Sequence, residues 1–249
     1  MAAAVREKHQ FRIAYGVLAL AFWLSVAGFI VVLTRQHHEA QTAWSRWKPT
    51  EQGLIGAHQI ALRLGPNYRA PNGTQLVAVQ EHAPYVQGIH LEAVGVRRLN
   101  QNGQIDPYIG LYGTGRTLIY AFCGLQSNCS LEATTTASEE RVLRREALEL
   151  SLYAFKYLKN VDQVVSLVQT VKQGGTSAVF LRKSDLRPEL DHPLRNTLPL
   201  RSPPASGADK REAAVIDALT LPNTFPAHYE SLPDGDAILV LDVSAQPTS

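Results

Sequence analysis

Residues 13–33, IAYGVLALAFWLSVAGFIVVL, constrain this chain more than any other stretch: 21 residues without a formal charge, starting after a 12-residue tail. At about 1.5 Å per residue a helix of that length spans roughly 31 Å, the thickness of a bilayer's hydrocarbon core. A helix also satisfies its own backbone polar groups, which lipid cannot do. The run is apolar on every face, unlike the surface helix of a globular domain. It exceeds the roughly 7–15 apolar residues of a cleaved leader, and the nearest small-residue cleavage candidate, Ala43, lies ten residues beyond it. The sequence therefore predicts a transmembrane helix at residues 13–34, preceded by a short basic tail, residues 1–12.

Basic residues do not orient that helix. Arg6, Lys8 and Arg12 precede it; Arg35, Arg46 and Lys48 follow it. The compact basic tail and a pairable couple of cysteines farther on both favour a cytoplasmic N-terminus and an extracytoplasmic domain. The reverse topology, with free thiols in a cytoplasmic domain, is the alternative. Residues 35–49 form a juxtamembrane segment with nothing to break a helix before Pro49, so the anchor helix is expected to continue through it. Trp44 and Trp47, three apart, would then share a face and pack on the domain that follows. His37 and His38 are adjacent, do not face each other on a helix and have no third ligand near them, so they read as a polar flank.

The remaining residues, 50–249, are numerous enough for one domain with a real core. Three basic residues and one acidic residue precede residue 35, and the rest of the chain carries 21 of each. That balance leaves no basic footprint for nucleic acid. Periodicity predicts an α+β domain with a mainly antiparallel sheet covered by a long helix. Residues 50–64 read as a helix with a stripe of Leu54, His58, Ala61 and Leu62, against a strand with Ile60, Leu62 and Leu64 alternating, and Gly65-Pro66 stops either. A hairpin follows around Asn72-Gly73, whose residue types accept positive φ. Residues 88–99, 105–113 and 116–122 read as a three-strand antiparallel meander, the last strand apolar on both faces and hence central. Residues 137–159 are the clearest helix: Thr136 and Glu139 make a capping box, and Leu143, Ala147, Leu150, Ala154 and Tyr157 follow one face. Glu140–Arg144 and Arg145–Glu149 are expected as i,i+4 pairs on its outer side. A second hairpin turns at 172–175. Residues 187–208 hold five prolines and read as an ordered loop or lid pinned by short apolar steps, with a plain linker as the alternative. A short helix capped by Asp209 and Glu212 and a buried final strand at 236–243 complete the domain.

Chemistry-bearing residues are few. Cys123 and Cys129, the only two cysteines, frame the join between the last meander strand and the long helix; outside the cytoplasm they would form a disulfide. Their spacing suits neither a zinc site nor a CxxC redox motif. His82, His90 and Glu92 form a candidate polar cluster, with His90 and Glu92 on one strand face. The H-x-E lacks the P-C-x-x-C that zinc deaminases need, so a solvated strand face competes with a metal or acid–base role. Gly113-Thr114-Gly115-Arg116 lacks the P-loop ending and reads as a hairpin turn; Asp234-Gly235-Asp236 also reads as a turn. Neither G-x-S-x-G nor H-E-x-x-H occurs. No catalytic residue, metal ligand set or cofactor site is assigned. The layout resembles that of bitopic envelope proteins with a short inner tail and a mixed outer domain, an analogy without residue assignments. The expected function is a non-enzymatic interaction or assembly subunit of a membrane or envelope complex, reaching the membrane through residues 13–34 and binding protein partners. A membrane-tethered hydrolase with residues 187–208 as a lid is the alternative.

Overall fold

The computed structural model describes residues 21–29, 43–70, 72–82, 85–86, 89–100, 102, 104–125, 136–169, 175–199 and 209–243. The chain divides into two compact units, Met1–Arg46 and Trp47–Ser249. In the first, residues 21–29 are helical and leave Phe22, Trp23, Leu24 and Phe29 exposed. The tail and the rest of the predicted span lie outside the described residues, and among the described residues no helix is long and apolar enough to cross a membrane.

The expected continuation of a helix to Pro49 is not found: residues 43–52 are non-helical. Local side-chain competition explains the second unit's part of this stretch. Gln59 Oε1 accepts from the backbone N–H groups of Thr50 (2.8 Å) and Glu51 (3.3 Å), holding them away from helical partners. Trp47 does pack on the domain, its ring 5.8 Å from that of Tyr153.

The second unit is mixed α+β. Eight strands form one sheet: β1 (Ala78–His82), β5 (Thr117–Cys123), β6 (Gln163–Gln169), β7 (Thr176–Arg182), β8 (Thr224–Ser231), β9 (Ala237–Leu241), β3 (Ile89–Val96) and β4 (Gly110–Gly113), in that spatial order. The two-residue β2 (Tyr85–Val86) adds a ninth beside the start of β3. Among the described residues the β5–β6 and β3–β9 ladders are parallel and the other six antiparallel.

This order corrects the expected meander. β3 and β4 do pair, but β5 leaves them to lie between β1 and β6. Three residues, Thr114–Arg116, join β4 to β5 as a single 3-10 turn rather than a hairpin. Six ladders separate those strands, roughly 29 Å across a flat sheet at about 4.8 Å per ladder. The four peptide steps between Gly113 and Thr117 reach at most about 15 Å. The sheet must therefore curl until its β4 edge returns to β5. Two contacts bear this out: the Tyr112 ring on β4 lies 5.0 Å from that of Phe180 on β7, and Arg182 Nη1 donates to the Tyr112 hydroxyl at 3.2 Å. Inside the curl Leu91, Val94, Ile119, Val165, Phe180, Phe225 and Leu239 form one core cluster, as in a small barrel filled by its own side chains.

Helices cover the outside of β5–β7: α1 (Gly53–Leu64), α2 (Ala137–Tyr157) and α5 (Lys210–Thr220). Hence β5 is buried on both faces, with Ile119 inward and Leu118, Tyr120 and Phe122 toward the helices; the Tyr120 hydroxyl donates to Ala57 O at 3.3 Å. The buried stripe of α1 is Gly56, Ala57, Ile60, Ala61 and Leu64, so of the expected stripe only Ala61 is inside; Leu54 and Leu62 are exposed. The capping box at Thr136 and Glu139 is present. α2 is not one-sided, however. Arg145, Glu146 and Glu149 are buried, because α1 and α5 pack against the side expected to meet water. Arg144 turns to Asp217 on α5 (2.5 Å) rather than to Glu140. Residues 187–199 fold into two short helices, α3 (Arg187–Asp191) and α4 (Leu194–Thr197), pinned by buried Leu186, Leu190, Leu194 and Leu198.

Candidate functional site

The residues singled out in the sequence do not meet. His82 ends β1, and His90 and Glu92 lie on β3, where His90 pairs with Tyr85 of β2; no hydrogen bond or ion pair joins His82 to His90 or Glu92 among the described residues. His90 Nδ1 instead faces Asp236 Oδ2 at 3.1 Å. Glu92 is the extra residue of a bulge, since Leu91 pairs with Ala237 and Ala93 with the next residue, Ile238. Glu92 is exposed and His90 half-buried, on either side of the buried Leu91. Asp234-Gly235-Asp236 makes the β8–β9 turn, with Gly235 at φ +93. Cys123 is buried at the end of β5 and is not a free cysteine; Cys129 lies outside the described residues. Among the described residues no group of three or more His, Cys, Asp or Glu side chains is placed to hold a metal.

The structure assembles two other clusters. One is sealed between α2, α5 and the segment after α1. Arg145, 1% exposed, donates from Nε and Nη2 to Glu212 Oε1 (3.1 and 2.9 Å) and from Nη1 to the Tyr68 hydroxyl (2.6 Å) and Glu149 Oε2 (3.2 Å). The Tyr68 hydroxyl donates in turn to Glu149 Oε2. Burial, then the neighbouring Glu149 carboxylate, raises the Tyr68 phenol well above its ordinary range. Burial also disfavours the charge on Arg145, but Tyr68, Glu149 and Glu212 outweigh it and its pKa rises. Burial raises Glu149 against the opposing pull of Arg145. Glu146 is the outlier. It is fully buried, neither carboxyl oxygen has a hydrogen-bond partner among the described residues, and burial plus Glu149 holds its pKa well above the carboxylate range. This cluster has the chemistry of a structural clamp: its charges are spent on one another and closed to solvent.

The second cluster is open. At the end of the curled sheet where β6 begins and β7 ends, a cleft of about 860 Å³ is lined by Tyr112, Phe155, Lys156, Asp162, Gln163, Arg182, Lys183, Ser184, Arg187, Leu190 and Asp191. Its acids and bases are unevenly engaged. Asp162 pairs with Arg116, whose hydrogen bond keeps its carboxyl below the usual range. Arg182 is gripped bidentately by Asp185 (2.7 and 2.8 Å). Lys156 Nζ donates to Leu190 O at 2.8 Å. Lys183 and Arg187 make no ion pair among the described residues. No histidine or cysteine lines the cleft, and the Ser184 hydroxyl donates to Asp185 Oδ1 at 3.1 Å.

Neither cluster was named from the sequence, though a signal for the first was present. Leu148, Leu152 and Phe155 lie opposite Leu143 on the α2 wheel, so that helix had to be covered on both sides and some of its charges enclosed. The second draws on β4, β6, β7, α2 and α3, which no local pattern brings together. No protein-family model, curated protein or solved structure matches this chain.

Proposed function

We propose that the chain is a single-pass membrane protein, anchored by residues 13–34 with its N-terminus in the cytoplasm. Its domain, residues 50–249, is an extracytoplasmic, non-enzymatic interaction or assembly subunit of an envelope complex, with Cys123 and Cys129 joined as a disulfide. The observation that carries the interaction reading is the apolar end of the β3–β4 hairpin. Leu99 (48% exposed), Ile105 (60%), Tyr108 (83%) and Leu111 (65%) stand in water there, and β4 pairs only with β3 among the described residues. An uncovered apolar edge is a liability for an isolated domain and an asset for one that binds a partner. The test is site-specific photocrosslinking in cells at Leu111, with Arg211 on the exposed start of α5 as control. A discrete adduct at Leu111 and none at Arg211 supports the reading; equal or absent adducts refute it.

The tethered hydrolase draws on one observation, that Arg187, Leu190 and Asp191 of the expected lid segment border the cleft. It lacks a base poised on a nucleophile, since Ser184 is engaged by Asp185 rather than by a histidine.

A further inference from the structure

The open cleft carries more positive charge than its own acids neutralise. Asp162 is occupied by Arg116, and Asp185, just beyond the lining, by Arg182. A ligand entering would meet Lys183, which also acts on the Asp162 carboxyl, and Arg187; neither has an ion pair among the described residues, Lys156 stands beside them, and Asp191 is the acid of α3 in the lining. Tyr112, Phe155 and Leu190 supply apolar wall between these charges. The walls are preorganised. Leu186 and Leu190 are buried, Lys156 ties α2 to the Leu190 carbonyl, and Arg182 is fixed between Asp185 and the Tyr112 hydroxyl.

We propose that this cleft seats an extended acidic segment of a partner protein, a proposal that rests on reading the domain as an interaction subunit. Charge complementarity selects acid. Three observations select a peptide over a compact phosphate group. The guanidinium at the base, Arg182, has its bidentate edge taken by Asp185, so the fork that grips phosphate is already filled. The available cations come from separate elements, Lys183 after β7 and Arg187 at the start of α3, and so suit single carboxylates spaced along a chain. The cleft lies at the upper end of the roughly 300–1,000 Å³ of ligand pockets, and Lys156, Ser184, Arg187 and Asp191 are exposed along it, leaving room for a chain to enter and leave.

The test uses the full chain in a nonionic detergent, with a fluorescent eight-residue glutamate peptide, its glutamine counterpart and inorganic phosphate as probes. The glutamate peptide should bind, the glutamine peptide should not, and raising the salt should weaken binding. The double reversal K183E/R187E should weaken it at least ~10-fold, as expected for two reversed rim charges, while K210E/R211E, the same change of net charge on α5, should shift it less than ~2-fold. If the reversal disturbs folding, K183Q/R187Q carries the test with an expected loss of at least ~3-fold. Absence of peptide binding, equal loss in both reversals, or displacement of the peptide by phosphate at lower concentration than by unlabelled peptide overturns the proposal. The Leu111 crosslink separates the two levels: an adduct that survives while the cleft fails to bind removes the acidic-segment proposal alone.

Discussion

Replacing Arg145 with methionine tests the sealed cluster directly. The guanidinium is 1% exposed and donates to Glu212, Glu149 and the Tyr68 hydroxyl. Methionine fills much of the same volume but supplies no donor. Among the described residues Glu149 then keeps only the Tyr68 hydroxyl, and Glu212 loses the two Arg145 bonds that serve its Oε1. Breaking a buried pair in this way costs about 3–5 kcal/mol, mostly the penalty of stranding the partner charges. A domain of this size has a total stability of about 5–15 kcal/mol, so the variant should sit near the edge of folding. At about 2–4 °C per kcal/mol the midpoint should fall by roughly 6–20 °C. Near-UV circular dichroism of the full chain in detergent, with urea midpoints beside it, reads the loss. The decisive companion is R145M/E149L/E212L, which removes charges and partners together and should return to within ~1 kcal/mol of the wild type or exceed it by about 1–4 kcal/mol. A single variant within ~1 kcal/mol of the wild type, or a triple as unstable as the single, would refute the account of the cluster.

Glu146 gives a pH signature with a definite sign. Burial holds its folded pKa well above the ordinary 4.5, so the folded chain binds more protons than the unfolded one, and stability falls as pH rises above about 4.5 toward the folded value. Urea midpoints should show Glu146→Gln level with the wild type near pH 4 and increasingly ahead of it from pH 5 to 8, at no more than ~1.4 kcal/mol per pH unit. Gly56→Ala should destabilise by about 1–3 kcal/mol despite alanine's helix preference, because its Cβ would lie 2.4 Å from Glu51 O and 2.7 Å from Leu158 Cδ2; thermal midpoints decide the sign. Phe180→Ala, at a fully buried ring packed at a tilt against Tyr112, should cost about 3–5 kcal/mol by the same measurement. Thiol labelling in intact cells should modify Cys123 and Cys129 only after reduction; labelling without reduction and only after lysis would place the domain in the cytoplasm.

Elements set by local chemistry were legible. The Thr136–Glu139 box starts α2 where expected, the β6–β7 hairpin pairs Val165 with Phe180, and the Asp209 cap holds the Glu212 N–H at 2.8 Å. Partners set by distant chain were not. The sequence reading places no strand at β8; Pro226 sits in it, and proline rarely enters an inner strand. Here Pro226 pairs with Ser177, and its carbonyl accepts from Asp242 N at 2.9 Å, so the strand keeps its place between β7 and β9. The separation of β5 from β4 was hidden for a different reason. Alternation reports which residues form a strand, whereas neighbours depend on later segments competing for the same edge. β6 takes β5, and β9 takes β3 in parallel. The Arg145–Glu149 pair does form, at 3.2 Å, but it is buried rather than outward, because α5, more than 60 residues later, packs over it and supplies Glu212 as a further partner.

That dependence on late segments also governs the cleft. Its charged side, Lys156, Arg182, Lys183 and Arg187, comes from the continuous stretch of α2, β6, β7 and α3. Its aromatic side, Tyr112, arrives on β4, which is held by β3, which is held by β9. β9 in turn is aligned by β8, which follows α5 after the three-residue turn Leu221–Asn223. Arg145 therefore bears on the open site without touching it. The Arg145–Glu212 pair fixes α5 on α2, α5 starts the segment that becomes β8 and β9, and those strands pair with β3 of the β3–β4 hairpin, which the Thr114–Arg116 turn holds near β5 and whose Tyr112 reaches Phe180 and Arg182. A cleft built from two parts of the chain joined in this way is complete only when the C-terminal strands are in place, so recognition at the cleft reports on the folding of the whole domain.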